Sequence, residues 1–307
     1  MKVLITGGGG FIGGHAVKHF VDCGDLVLNV DKITYAADIN RLKASSFLQL
    51  DVADRESFEN VLKDYSPDCV IHFAAETHVD NSIKSYEDFV KSNVQGTASV
   101  AMACSNLGIK LCHISTDEVY GPAGNRPFDE DDRLNPMNPY SATKAAGDML
   151  VKSFHNTYKL QYLLIRPSNN YGPGQHEEKF IPKLLKSIRD NKKFPLYGDG
   201  SQVREWTYVK DTVAVIKKLI SIEKNWSSTY NLTSGISMTN VQAIEKILKA
   251  YNEIKGTQLK IQDVIETVDD RKGHDKKYFI SQDKLKSVVN HQYTNFDFGV
   301  TEIINGQ

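Results

Sequence analysis

No apolar run in the 307-residue chain approaches the roughly 18 residues that a membrane-spanning helix needs. The opening "MKVLITGGGG" has a short apolar run that glycines interrupt at once, so it is not expected to be a signal peptide. Cysteine is scarce: Cys23, Cys69, Cys104 and Cys112 show no CxxC pairing, and Cys69 and Cys112 sit inside apolar, strand-like runs. They read as reduced core thiols of a cytoplasmic protein. Excess charge is also missing. With 37 basic and 38 acidic residues, nothing favours nucleic acid or an anionic membrane as partner. The Lys-rich stretch 183–193 reads as the solvated face of an amphipathic helix, because Leu184, Leu185 and Ile188 fall on one side. His15 and His19 are spaced i, i+4, yet no third ligand or HExxH pattern accompanies them, so no metal site is expected. No GK[ST] follows the glycine run, which excludes a P-loop.

What is present is a repeated alternation of strand and helix. The runs 2–6, 26–30, 47–50, 69–73 and 110–115 read as strands, and segments near 11–22, 55–64, 81–107 and 140–158 as helices. This spacing predicts an α/β fold, a doubly wound parallel sheet covered on both faces. Beyond residue 166 the alternation breaks down. Helices are expected over 180–191 and 239–255, and "FPLYGDGSQVREW" reads as two short strands around an Asp-Gly turn. The length suits two unequal domains. Residues 1–166 with roughly 200–225 would form the nucleotide-binding domain, and 167–199 with 226–307 a smaller discontinuous substrate domain.

"TGGGGFIGG" places Gly7, Gly10 and Gly13 between the first strand and the first helix, where glycines allow a tight turn and the helix N-terminus faces a pyrophosphate. Asp31 follows the second strand, 18 residues after Gly13, as a ribose-binding carboxylate would. An acid there favours NAD over NADP, and Lys32 beside it weakens the preference. Further on, Tyr140 and Lys144 share a helix face, so an ammonium beside the phenol is expected to lower its pKa and make it a base. "STDEVYG" (115–121) directly follows the fifth strand, at the sheet edge where such folds bind ligands.

These motifs resemble the extended short-chain dehydrogenase/reductases that act on nucleotide sugars, and within them the dTDP-glucose 4,6-dehydratase family. The blocks "NVDKITYA", "HFAAETHVDNSI", "HISTDEVYG", "PYSATKAAGD", "RPSNNYGP", "EKFIPKL", "YGDGSQVREWTYVKD" and "DRKGHDKKY" occur in the family's order over about residues 2–283. The resemblance implies an NAD-dependent lyase. Tyr140 with Lys144 would oxidise C4, Thr116 would hydrogen-bond the C4 oxygen, Glu118 would remove the C5 proton, and Asp117 would protonate the departing C6 hydroxyl. It further implies that Phe11, Ile12, Asp51, Val52, Ala74, Ala75 and Asn93 meet the dinucleotide. Asn169 and Lys179 would contact sugar or phosphate, Arg204 and His274 would face the diphosphate, and Asn240 would help. A homodimer through the helices near 81–107 and 140–158 is implied as well. Alternatives remain open: a UDP-glucose or UDP-N-acetylglucosamine dehydratase, an epimerase that leaves both acids idle, or a silent NAD-binding scaffold. Three departures from the family pattern are Asn81 in place of arginine, Lys272 in place of proline, and a tail after 284 without the Leu-Gly-Trp block.

Overall fold

The computed structural model describes residues 1–270 and 275–306. Among them run β1 (Lys2–Thr6), β2 (Leu26–Asp31), β3 (Ser46–Gln49), β4 (Cys69–His72), β5 (Lys110–Ile114), β6 (Tyr162–Pro167), β7 (Asn169–Tyr171), β8 (Phe194–Tyr197), β9 (Val203–Tyr208), β10 (Ser228–Leu232), β11 (Ser237–Thr239) and β12 (Ile265–Val268). Seven of these form one sheet in the order β10-β6-β5-β4-β1-β2-β3, with every pairing parallel. The strand order reverses between β1 and β4, which is where a doubly wound sheet opens a ligand crevice.

Alternation along β1 shows how the sheet is covered on both sides. Val3 and Ile5 point into a core shared with Val17, Phe20, Val213 and Ile216, from the helices Phe11–Asp22 and Val209–Ile220. Leu4 points the other way, against Phe58, Leu62 and Val100 of the helices Arg55–Tyr65 and Thr97–Leu107. Successive strand residues face opposite sides, and burial on both explains why the strands read as near-continuous apolar runs.

Three expectations are corrected by the structure. The helix expected over 81–107 is broken: Val79–Lys84 ends at an extended Ser85, and a π-helical stretch, Val90–Gly96, precedes Thr97–Leu107. The wider turn accompanies two tertiary tasks. Ser92 accepts a hydrogen bond from Lys32 Nζ at 2.7 Å, and the buried Asn93 amide clasps Glu76 and Thr143. The two strands around Asp199-Gly200 form, but they do not pair with each other. β8 pairs with β12, and β9 with β7 and β11, because the turn, with Gly198 and Gly200 at φ of 58° and 72°, carries the chain from one small sheet to another. Finally, β10 lies within 226–307 but belongs to the central sheet beside β6. Leu285 and Val289, at the helix Asp283–Val288, also pack into the core on one face of that sheet.

A separate apolar cluster lies beside the small sheets. It joins Tyr171, Trp206 and Tyr208 to Ile181 and Leu185 of the helix Phe180–Arg189, Ile244 and Ile247 of Asn240–Lys255, and Phe296 and Val300 of Phe296–Asn305. The helix Asn240–Lys255 starts with a Thr239–Gln242 capping box and stops at Gly256 in the left-handed conformation, the expected punctuation at both ends.

Candidate active site

The carboxyl ends of β1, β2, β4, β5 and β6 open on a cavity of about 380 Å³. On one side lies the glycine turn. Gly7 has φ +75°, and a Cβ there would fall 2.6 Å from Ala74 N. A Cβ on Gly13 would fall 2.2 Å from Gly7 O. Only glycine lets the turn, the helix and the end of β4 come this close. Asp31, at the end of β2, accepts from Gly9 N at 2.9 Å and Ile33 N at 2.7 Å and faces the same cavity. Lys32 also lines it, and its ammonium lies 2.7 Å from Ser92 Oγ and 3.5 Å from Glu76 Oε1. Gly10, Phe11, Ile12, Asp51, Val52, Ala74 and Ala75 line the wall as well. The glycine cradle, the free helix start and the strand-end acid fit a dinucleotide.

Across the cavity stand Thr116, Asp117, Glu118, Tyr140 and Lys144. Strand alternation alone would split adjacent acids across two faces. The chain avoids this by leaving β5 into a 3-10 turn, Asp117–Tyr120, capped by the Thr116 hydroxyl, which accepts from Glu118 N at 3.3 Å. Val119 and Tyr120 are buried against Phe128 and Ile280 and pin the turn from behind. Both acids therefore face the cavity. Asp117 is 3% exposed, and its Oδ2 takes no hydrogen bond from the described residues. Burial, then the charges of Glu118 and Glu205, hold its carboxyl well above the usual carboxylate range, which favours its protonated form.

Tyr140 and Lys144 are carried by the helix Pro139–Tyr158, which begins with an Asn138–Ser141 capping box and proline in the first turn. Ser82 Oγ accepts from Tyr140 N at 3.2 Å, and Lys144 Nζ donates to Ile114 O at 2.6 Å. Burial lowers the Lys144 ammonium to about 8. The expected lowering of the Tyr140 phenol is not met in the chain alone: burial and the Glu118 charge push it up, against the Thr116 hydroxyl.

Asn169 and Lys179 also line the cavity, and Lys179 Nζ reaches Thr77 O at 3.0 Å. Other expected residues lie off its wall. Asn93 sits behind it, its amide occupied with Glu76 and Thr143. Arg204 donates to Val203 O and Asp275 O at 2.8 and 2.9 Å and covers the Tyr278 ring at 4.3 Å. Asn240 Nδ2 donates to Gln202 Oε1 at 3.3 Å. His274 lies outside the described residues. Sequence reasoning missed Glu76, which lines the cavity, and Tyr278, whose hydroxyl donates to Glu118 Oε2 at 3.3 Å across 160 residues of sequence. No local spacing signals either one.

Comparison with known proteins agrees with this geometry. The model of the NAD dependent epimerase/dehydratase family matches residues 3–232. The chain is 41% identical to the low-salt glycan biosynthesis protein Agl12 of Haloferax volcanii, covering 99% of this chain and 98% of that protein. It is 35% identical to a dTDP-glucose 4,6-dehydratase of Haemophilus influenzae, covering 99% and 97%. Among solved structures, a dTDP-glucose 4,6-dehydratase of Streptomyces venezuelae, determined with NAD bound, superposes with a TM-score of 0.93 at 32% identity, covering 100% of this chain and 96% of that one. The fold is the Rossmann-like fold of the extended short-chain dehydrogenase/reductases. The chain belongs to the NAD dependent epimerase/dehydratase family.

Proposed function

We propose that the protein is a dTDP-glucose 4,6-dehydratase that converts its substrate to the 4-keto-6-deoxy sugar. The observation that carries this reading is the 3-10 turn that brings Asp117 and Glu118 into one cavity with Tyr140 and Lys144; burial raises the Asp117 carboxyl there. Gly7, Gly10, Gly13 and Asp31 would hold NAD. When bound, NAD would supply the hydride acceptor for C4 and, once reduced, the hydride donor for C6. Tyr140, in the phenolate form that burial and Glu118 disfavour in the chain alone, would take the C4 hydroxyl proton, and Thr116 would hold the C4 oxygen. The C4 ketone acidifies C5, and Glu118 removes the C5 proton. Asp117 gives its proton to the C6 oxygen as the C6–O bond breaks, and water leaves. Glu118 then returns a proton to C5, and the proton left on Tyr140 replaces the one that Asp117 gave up, so the net change is loss of one water. The neutral state of Asp117 is what allows a carboxyl group to act as an acid here.

Asn169 and Lys179, on the wall, are assigned to the sugar and diphosphate. Arg204 and Asn240 would border the diphosphate. The dTDP-glucose 4,6-dehydratases among the relatives favour thymine over uracil. A homodimer fits the exposed apolar side chains Ile83, Tyr86, Val90, Met149 and Tyr158 on the helical segments 79–107 and 139–158, and light scattering would report a mass of two chains. Among the described residues no helix is long and apolar enough to cross a membrane.

The test is incubation of the purified protein with dTDP-glucose and, separately, UDP-glucose, with products read by mass and the configuration at C4 by NMR. Loss of one water, faster from dTDP-glucose, is expected. Retention of the C6 hydroxyl with inversion at C4 would make the protein an epimerase. Unchanged sugars, with NAD added and with UDP-N-acetylglucosamine also tried, would make it a scaffold.

A further inference from the structure

Tyr278 is 4% exposed. Its ring lies under the Arg204 guanidinium at 4.3 Å, which fixes the ring plane. The hydroxyl stands between two carboxylates, 2.8 Å from Asp275 Oδ2 and 3.3 Å from Glu118 Oε2. A phenol has a single hydrogen to donate, so it serves one carboxylate at a time. The shorter contact is the fuller bond, and the longer one lies beyond the common range. Burial and the Glu118 charge hold the phenol well above its ordinary value, so it keeps its hydrogen.

We propose that Tyr278 is a positioning residue for Glu118: its hydroxyl, held mainly by Asp275 in the chain alone, shares its hydrogen with Glu118 while that carboxylate is charged and returns it wholly to Asp275 once Glu118 has taken up a proton. The inference rests on the reading of Glu118 as the C5 base. A base that takes up a proton and gives it back changes charge twice in each turnover. A donor fixed on it would stabilise the charged form throughout and oppose proton uptake. A donor with a second acceptor in reach follows the charge instead, and keeps the carboxylate aimed at C5 in both states. Asp275 provides that second acceptor, and Arg204 holds the ring while the hydroxyl turns.

Tyr278→Phe keeps the ring under Arg204 and removes only the hydroxyl. With dTDP-glucose in deuterated water, the exchange of the C5 hydrogen and the formation of product are expected to fall about tenfold, the worth of one hydrogen bond to a charged group. The rate of C4 oxidation, followed by the absorbance of the reduced cofactor, and KM are expected to stay within about twofold. Asp275→Asn, a weaker acceptor, should slow C5 exchange by a few fold alone and add nothing in the Tyr278→Phe background. It carries the test by itself if Tyr278→Phe does not fold. Parallel loss of oxidation and exchange would show a merely structural tyrosine and overturn the proposal, as would unchanged exchange. A wild-type protein that dehydrates no nucleotide sugar would overturn the reading of Glu118 itself, and the inference with it.

Discussion

Replacing Lys144 by methionine should destroy activity and yet stabilise the fold. Lys144 is 4% exposed, and burial lowers its ammonium from 10.5 to about 8, with Asp148 opposing. That span corresponds to about 3 kcal/mol of penalty for keeping the charge in the folded state. Below pH 8 the folded and unfolded chains both carry the proton, and the penalty is paid in full. Between 8 and 10.5 the unfolded chain binds more protons than the folded one, so this group makes stability rise with pH. Methionine fills a similar volume without the charge. It forfeits the 2.6 Å hydrogen bond to Ile114 O, which costs about 1–2 kcal/mol. Desolvation therefore wins, and Lys144→Met should be about 1–2 kcal/mol more stable at pH 7. The difference should shrink as the pH approaches 10. Urea unfolding of both proteins at the two pH values, with NAD content matched because a bound ligand stabilises what it binds, reads this directly. A variant less stable than wild type at pH 7, or a difference that does not change with pH, would refute the reasoning.

Asp117→Asn keeps the shape of the turn but has no acid proton to give. Water elimination should fall by about 10²–10⁴-fold, while C4 oxidation, followed by the absorbance of the reduced cofactor, continues. Arg166 and Asp148 are fully buried, with Nε 2.9 Å from Oδ2, and Arg166 also donates to Tyr120 OH at 2.6 Å and Glu130 O at 3.1 Å. Arg166→Met should cost about 3–5 kcal/mol in urea unfolding because it strands the Asp148 charge, and adding Asp148→Asn should recover much of that loss.

The sequence by itself determined the parts of this protein whose physics is local. The strand–turn–helix with Gly7, Gly10 and Gly13, the acid at the end of β2 and the capped helix carrying Tyr140 and Lys144 all follow from neighbouring residues and their periodicity. The same holds for β1 to β5. The paired acids were visible too, although alternation along a strand would have parted them. Only the tertiary structure supplied the 3-10 turn, because burial of Val119 and Tyr120 against Phe128 and Ile280 bends the chain there. The π-helical stretch at Val90–Gly96 depends in the same way on partners far off in the chain. So does β10, which earns its place in the central sheet by pairing with β6. The upward shifts of Asp117 and Tyr140 arise from burial and from charges that the fold gathers. Tyr278 reaches Glu118 across 160 residues, and no pattern in a chain records which distant side chain will close on it, because that contact is made only when the segment bonded to Val203 of β9 packs against the turn after β5.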